Sequence, residues 1–399
     1  MSYNAAMMIS KTIEAYLKEG SWIRRLFEEG LKMAKEGKGP VYDFSLGNPE
    51  LSPPAALSEA LIHAASDPTP GKHRYMPNAG YTETRSAAAK SLSRDHDMEF
   101  SAEEILMTVG AAGALNVALK AILDPGDEVI CIAPYFVEYR FYIENHAGRM
   151  IVANSRDDFD IDVKAISRLL SPSTRAVIIN NPNNPTGKVY PQETLNRLGD
   201  VLGRASKAYS RPIYLIDDAP YRKLVYDTDR CSSAFAAYEN TLMGTSHSKD
   251  LGIPGERIGF LAVSPRCEGK KEFMNAAAFA NRVLGFVNAP ALMQRVVAKV
   301  QDEIIDLDWY RKKRDRLVSA LSSYGYEIQS PGGAFYLFPK APGGDDIAFI
   351  DTLKSMRVLA VPGTGFGAPG YFRIAYCVND AVIEGALPAF ETAARQMLG

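Results

Sequence analysis

From about residue 105 to residue 263 the chain alternates between short, predominantly apolar runs and longer stretches with helical spacing. The short runs cover 105–109, 128–132, 149–153, 176–180, 213–217, 241–246 and 258–263. Several are rich in Val and Ile and are bounded by Pro, Gly, Asn or Asp, the pattern of buried strands. Intervening stretches such as 112–123 and 191–208 read as helices. This alternation predicts an α/β fold in which a largely parallel seven-stranded sheet is buried on both faces by helices. The ends of the chain differ. Over residues 10–35, Ile13, Leu17, Ile23, Leu26, Phe27 and Leu31 recur at helical spacing. Beyond Pro290 a long helical pattern runs through 302–322, followed by strand candidates at 333–338, 357–361 and 371–375. A second, smaller α+β domain assembled from both termini is the expectation. The predicted division is 1–50 (small domain), 51–295 (large α/β domain) and 296–399 (small domain).

Composition narrows the class. A chain of 399 residues exceeds one small core and suggests two or three domains. With 46% hydrophobic and 23% charged residues it has the make-up of a globular protein. Its formal charge of -2 offers nothing to attract nucleic acid or an anionic membrane. Cys131, Cys231, Cys267 and Cys377 lie far apart with no CxxC pair, against both a zinc site and a disulfide framework. The first twenty residues lack a signal-like apolar core, and no apolar run is long enough to span a bilayer. A soluble, cytoplasmic, metal-free protein is expected.

Open α/β sheets bind ligands beyond the carboxyl ends of their strands, so the residues following each strand matter most. Gly110-Ala111-Ala112-Gly113 opens a helix after the first strand. It is either a plain small-residue turn or a place where an anion reaches free backbone N–H groups. Asn181–Gly187 follows the fourth as a loop whose prolines and glycine could aim an asparagine amide. Asp217-Asp218-Ala219-Pro220-Tyr221 follows the fifth: a helix cap, or an acid that needs a cation. Ser246-His247-Ser248-Lys249 and then Arg257 complete the set. Lys249 alone would be a solvated strand-end lysine, and His247 a packing residue. Together these groups have what an anionic, aromatic, aldehyde-bearing cofactor needs to be held through a lysine Schiff base.

At this point the chain resembles the fold-type I pyridoxal-phosphate (PLP) enzymes, specifically the class I and II aminotransferases, of the aspartate-aminotransferase type. The matched segments run from about Leu46 to Arg373. Ser246-His247-Ser248-Lys249 with Arg257 and Gly259 is similar to the family's Schiff-base lysine segment. Asn181–Gly187 is similar to its Asn-Pro-x-Asn-Pro-Thr-Gly motif, and Asp218 lies between the two. The resemblance implies roles. Lys249 carries the cofactor and moves the substrate Cα proton. Asp218, three residues before Tyr221, pairs with the pyridinium nitrogen. Tyr221 and Asn184 meet the ring hydroxyl oxygen, and Tyr135 stacks on the ring. Gly110, Ala111, Ala112, Ser246, Ser248 and Arg257 hold the phosphate. Tyr75 reaches the phosphate of a neighbouring subunit, which implies a homodimer with shared sites. Gly47, Asn184 and Arg373 receive the substrate carboxylate.

The implied activity is ping-pong transfer of an α-amino group between an L-amino acid and a 2-oxo acid. β-Elimination of a sulfur amino acid on the same scaffold shares its first steps, and a PLP-binding regulator would need an attached DNA-binding domain. Arg282 lies near where dicarboxylate-specific relatives place an arginine for the side-chain carboxylate, which makes aspartate or glutamate a candidate donor. A surface or interface arginine is the other reading.

Overall fold

A computed structural model describes residues 9–19 and 22–398 of the 399. The first eight residues, and the side chains of Ile23 and Phe27 used in the helical pattern above, lie outside what is described. Twelve strands are named here in chain order: β1 Tyr42–Asp43, β2 Ile105–Thr108, β3 Glu128–Ala133, β4 Arg149–Asn154, β5 Thr174–Asn180, β6 Tyr214–Asp218, β7 Thr241–Ser246, β8 Gly259–Val263, β9 Tyr336–Leu337, β10 Val358–Leu359, β11 Val361–Pro362 and β12 Phe372–Ala375.

Seven of them form one sheet in the order β2-β8-β7-β6-β5-β3-β4, matching the seven runs expected from the sequence. β8 is antiparallel to both of its neighbours, and the other pairings are parallel. Side chains alternate between the two faces. Val129, Cys131, Ile178 and Ile216 pack toward the helices Gly110–Ile122 and Lys270–Val283. Ile130, Ile132, Val177, Ile179 and Leu215 pack on the other face with Leu195, Leu198 and Leu202 of the helix Gln192–Ala208. At the edge, β4 leaves Val152 half in water.

A second core gathers both ends of the chain. Leu26 and Phe44 join Leu317, Leu321, Phe349, Phe372 and Phe390. β1 pairs with β10, while β11, β12 and β9 form a small antiparallel sheet. The N-terminal pattern resolves into the helices Lys11–Glu19 and Trp22–Lys35.

Three expectations change here. The helix read over 302–322 starts later, at Leu307–Ser323, because the Asp306 carboxylate caps it by accepting from the N–H groups of Asp308 and Trp309. Of the strand read over 333–338 only Tyr336–Leu337 pairs in the sheet. The N–H of Ala334 donates to the Leu224 carbonyl instead. The run 357–361 breaks at Ala360 into β10 and β11, which serve different sheets. The consequence for function is that β1 and β12 bring Ser45, Gly47 and Arg373 to the carboxyl ends of β5, β6 and β7.

Candidate active site

A cavity of about 560 Å³ opens at those strand ends. Lys249 stands in it three residues beyond β7, and its Nζ donates to the carbonyl of Gly47 at 2.7 Å. Burial disfavours the ammonium form, and Arg373 and Arg257 repel it further, so its pKa falls to about 8 despite the opposing Cys377 thiol. An amine so poised is an available nucleophile near neutral pH.

Asp218 ends β6 on the face that also carries Ile216, and so points into the cavity. Tyr139 donates its phenol to Asp218 Oδ2 at 2.6 Å, and among the described residues Asp218 has no ion pair. Burial raises its pKa to about 7, with the Tyr139 hydrogen bond acting against that rise. A buried carboxylate in this state lacks a cation. Asp217 alternates to the opposite face, where Oδ1 has no partner among the described residues and burial, then the Asp218 charge, push its carboxyl well up.

Arg373 rises from β12 at 2% exposure between the rings of Tyr336 and Phe366, at 4.8 and 4.9 Å from their centroids. Nη1 donates to Asn184 Oδ1 at 3.0 Å and Nη2 to the Ser45 carbonyl, whereas Nε has no partner among the described residues. Among the described residues no carboxylate neutralises this guanidinium. Such a fork is built to receive one.

The helix Gly110–Ile122 has no side-chain cap at Val109, so its first N–H groups remain open beside Ala111 and Ala112 of the cavity wall. Gly110 has φ 79°, and a Cβ there would stand 2.8 Å from Arg257 Nη2. Gly259 serves the same approach: a Cβ would come within 2.3 Å of the Thr245 carbonyl oxygen and 2.9 Å of Gly110 Cα. Backbone donors, Ser246, Ser248 and Arg257 thereby converge on one corner, an anion cradle.

Comparison with known proteins places the chain. The family model "Aminotransferase class I and II" matches residues 40–390. The chain belongs to the class I and II aminotransferases. It is 31% identical over 376 residues to an aspartate/prephenate aminotransferase of Thermus thermophilus, covering 91% of this chain and 93% of that one. Over 353 residues it is 30% identical to a probable N-acetyl-LL-diaminopimelate aminotransferase of Bacillus subtilis, covering 86% and 87%. An amino transferase structure from Eubacterium rectale superposes with a TM-score of 0.94 at 39% identity, covering 98% of this chain and all of that one. The T. thermophilus aspartate aminotransferase with maleate superposes at 0.85 with 28% identity, covering 96% and 99%. The protein is therefore a PLP-dependent amino acid aminotransferase with the fold-type I architecture, and the eliminative alternative is not favoured.

The residues present fit PLP. An open helix start with Arg257 suits its phosphate, and the cation-less buried Asp218 suits its ring nitrogen. The aminotransferase cavity brings together Gly47, Ala111, Ala112, Asn184, Asp218, Tyr221, Ser246, Ser248, Lys249, Arg257 and Arg373 from the sequence reading. Gly110 lies just behind its wall against Arg257. Tyr135 stands outside the cavity lining: its backbone N–H donates to the Phe366 carbonyl, and its ring lies against Gly367. The next residue, Phe136, takes the place on the cavity wall. Tyr75 is 94% exposed and away from its own chain's cavity. Arg282 is exposed on the last turn of Lys270–Val283, over the Phe279 ring, and does not reach this cavity either.

Four functional contributors escaped the sequence reading. Tyr139 holds Asp218. Asn180 ties Asp218 and Asn184 together, donating from Nδ2 to the Asp218 carbonyl and accepting at Oδ1 from the Asn184 N–H, both at 2.6 Å. Tyr336 meets Tyr221 hydroxyl to hydroxyl at 2.8 Å. Phe136 is the fourth. Asn180, at the end of β5, carried a positional signal; the others sit in segments with no motif.

Proposed function

We propose that this aminotransferase works by a ping-pong exchange centred on Lys249, in a homodimer with shared sites in the cytoplasm. The observation that carries the reading is the buried Arg373, without a carboxylate partner among the described residues, in the same cavity as Lys249 and Asp218. When bound, PLP supplies an aldehyde for amine capture and a pyridinium ring that takes up the electron pair left by the departing Cα proton.

Arg373 grips the donor carboxylate, with Asn184 and Ser45 fixing the plane of its guanidinium. Gly47 lets the Leu46–Gly47 backbone lie against Tyr336, where a Cβ would strike the Tyr336 hydroxyl at 2.2 Å. Asp218, held by Tyr139, would keep a proton on the ring nitrogen. Tyr221 and Asn184 would bind the ring hydroxyl oxygen, and Phe136, on the cavity wall, would cover the ring face. Lys249 would hold the cofactor covalently, and its amine, once freed by the donor, would serve as the base that takes up and returns the Cα proton. The lowered pKa of Lys249 suits both tasks. A second oxo acid then runs the steps in reverse.

Support for a homodimer comes from the outward Tyr75 and from Phe279 and Val283, 57% and 51% exposed one turn apart on the helix that ends near Arg282. The division at residues 50 and 295 keeps Ser45 and Gly47 with the domain that carries Arg373. Four free cysteines accord with the cytoplasm, and no helix among the described residues is long and apolar enough to cross a membrane. Replacing Lys249 by Ala should leave circular dichroism unchanged and reduce amino transfer by at least about 10³-fold. Turnover within tenfold of the parent would remove Lys249 from the reaction.

A further inference from the structure

The cavity holds one charged group that the steps above do not use. Among the described residues its lining contributes three cations, Lys249, Arg257 and Arg373, and two carboxylates, Asp218 and Glu138. The cations and Asp218 each have a role. Glu138 does not.

Its position makes it available. Glu138 is the N-cap residue of the short helix Tyr139–Glu144, yet its carboxylate caps nothing. Among the described residues it forms no side-chain hydrogen bond or ion pair, in contrast to Glu144 at the other end of the helix, which accepts from Tyr16 and Arg140. The group is partly buried, and burial raises its pKa. Leu46, Leu115 and Phe136 supply apolar cavity wall, and Tyr142 stands one helical turn from Glu138. Such a pocket accommodates an aliphatic stem and leaves a carboxylate as its one uncommitted charged group. A second carboxylate brought there by a dicarboxylic donor would meet like charge. An ammonium or guanidinium would supply the missing cation.

Resting on the aminotransferase reading, we propose that Glu138 reads the donor side chain and favours a basic amino acid of the ornithine or lysine type over aspartate or glutamate. This narrows the substrate class of the site and runs against the aspartate expectation attached to Arg282.

The test uses the PLP-loaded enzyme, its Glu138→Gln variant and, should that variant misfold, Glu138→Ala. Binding of 2-methylornithine and 2-methylaspartate, which lack the Cα proton, is measured by calorimetry. Half-reaction kcat/KM is measured in parallel for ornithine, lysine, aspartate and glutamate. The parent should bind the basic analogue more tightly. The variant should lose about tenfold for the basic analogue and gain about tenfold for the acidic one, changing the selectivity ratio about a hundredfold. A ratio unchanged within twofold overturns the proposal, as does a parent enzyme that prefers the acidic analogue. In the latter case a cation from the second subunit neutralises Glu138, and Arg282→Ala identifies it if the acidic preference then disappears. Donors converted with an unchanged ratio sink this proposal alone; a protein that converts no donor sinks the aminotransferase reading instead.

Discussion

Asp218 is placed for chemistry at the expense of stability, and the cost can be measured. Without a cation beside it, the folded protein holds the Asp218 proton with a pKa near 7, against 3.8 for the unperturbed group. Because the folded state binds this proton more tightly than the unfolded chain, the carboxyl's contribution to stability falls as pH rises from about 4 through about 7 and is level above that. Each pH unit inside the window costs about 1.4 kcal/mol, so raising the pH from 5 to 8 costs the cofactor-free protein roughly 2–3 kcal/mol through this one group. Asp218→Asn keeps the shape and the Asn180 contact to the backbone carbonyl, but cannot ionise. Urea unfolding of cofactor-free parent and variant at pH 5 and pH 8 should therefore show the variant gaining about 2–3 kcal/mol relative to the parent at the higher pH. The loaded variant should lose turnover by about 10- to 100-fold, the worth of one charged hydrogen bond. A stability difference that is flat between the two pH values, or one that favours the parent more at pH 8, would refute the picture of Asp218 as a buried carboxylate awaiting its cation.

Two further substitutions probe the remaining walls. Arg373→Lys retains charge but loses the planar fork and its ties to Asn184 and Ser45. It should cut kcat/KM for donor and oxo acid alike by about 10- to 100-fold while leaving PLP absorbance intact; a change below twofold, or failure to load PLP, would exclude the carboxylate role. Phe136→Ala should weaken PLP retention about tenfold, with Tyr135→Ala within about threefold of the parent; the reverse order, read from equilibrium dialysis, would place Tyr135 on the ring.

Much of this architecture is visible in the sequence because buried parallel strands must be apolar throughout. β3, β5 and β6 declare themselves in Glu-Val-Ile-Cys-Ile-Ala, Thr-Arg-Ala-Val-Ile-Ile-Asn and Tyr-Leu-Ile-Asp-Asp. Strand direction leaves no such trace, so the reversal of β8 could not be read. The helix Thr82–His96 is hidden for another reason: it buries Thr84, Ala88, Ala89, Ser91 and Leu92, mostly small residues that give a faint apolar stripe. In the site, Asp218 ends a strand, and Lys249 and Asn184 come within four residues of one, where position alone suggests a role. Its spacing of three residues before Tyr221 singles out Asp218 over Asp217; strand alternation, which plays no part in that choice, puts Asp218 on the cavity wall and Asp217 on the opposite face. Phe136, Glu138, Tyr139 and Tyr142 belong instead to a turn and a six-residue helix after β3. Which of four consecutive or nearby side chains points inward depends on backbone angles that the residue types do not reveal, so the sequence could not tell that Phe136 rather than Tyr135 lines the cavity. Tyr336 was obscured by a strand whose hydrogen bonds are shared between a sheet and a loop.

The central claim is that Lys249 mediates reversible transfer of an amino group. The most direct measurement mixes the purified, PLP-loaded protein with a single amino acid and no oxo acid acceptor, following cofactor absorbance while the released products are identified. Oxo acid formed one per site, with the absorbance converted to that of the amine form of the cofactor and restored on adding a second oxo acid, is the predicted result. Continuous release of ammonia or thiol with the original absorbance maintained would contradict it.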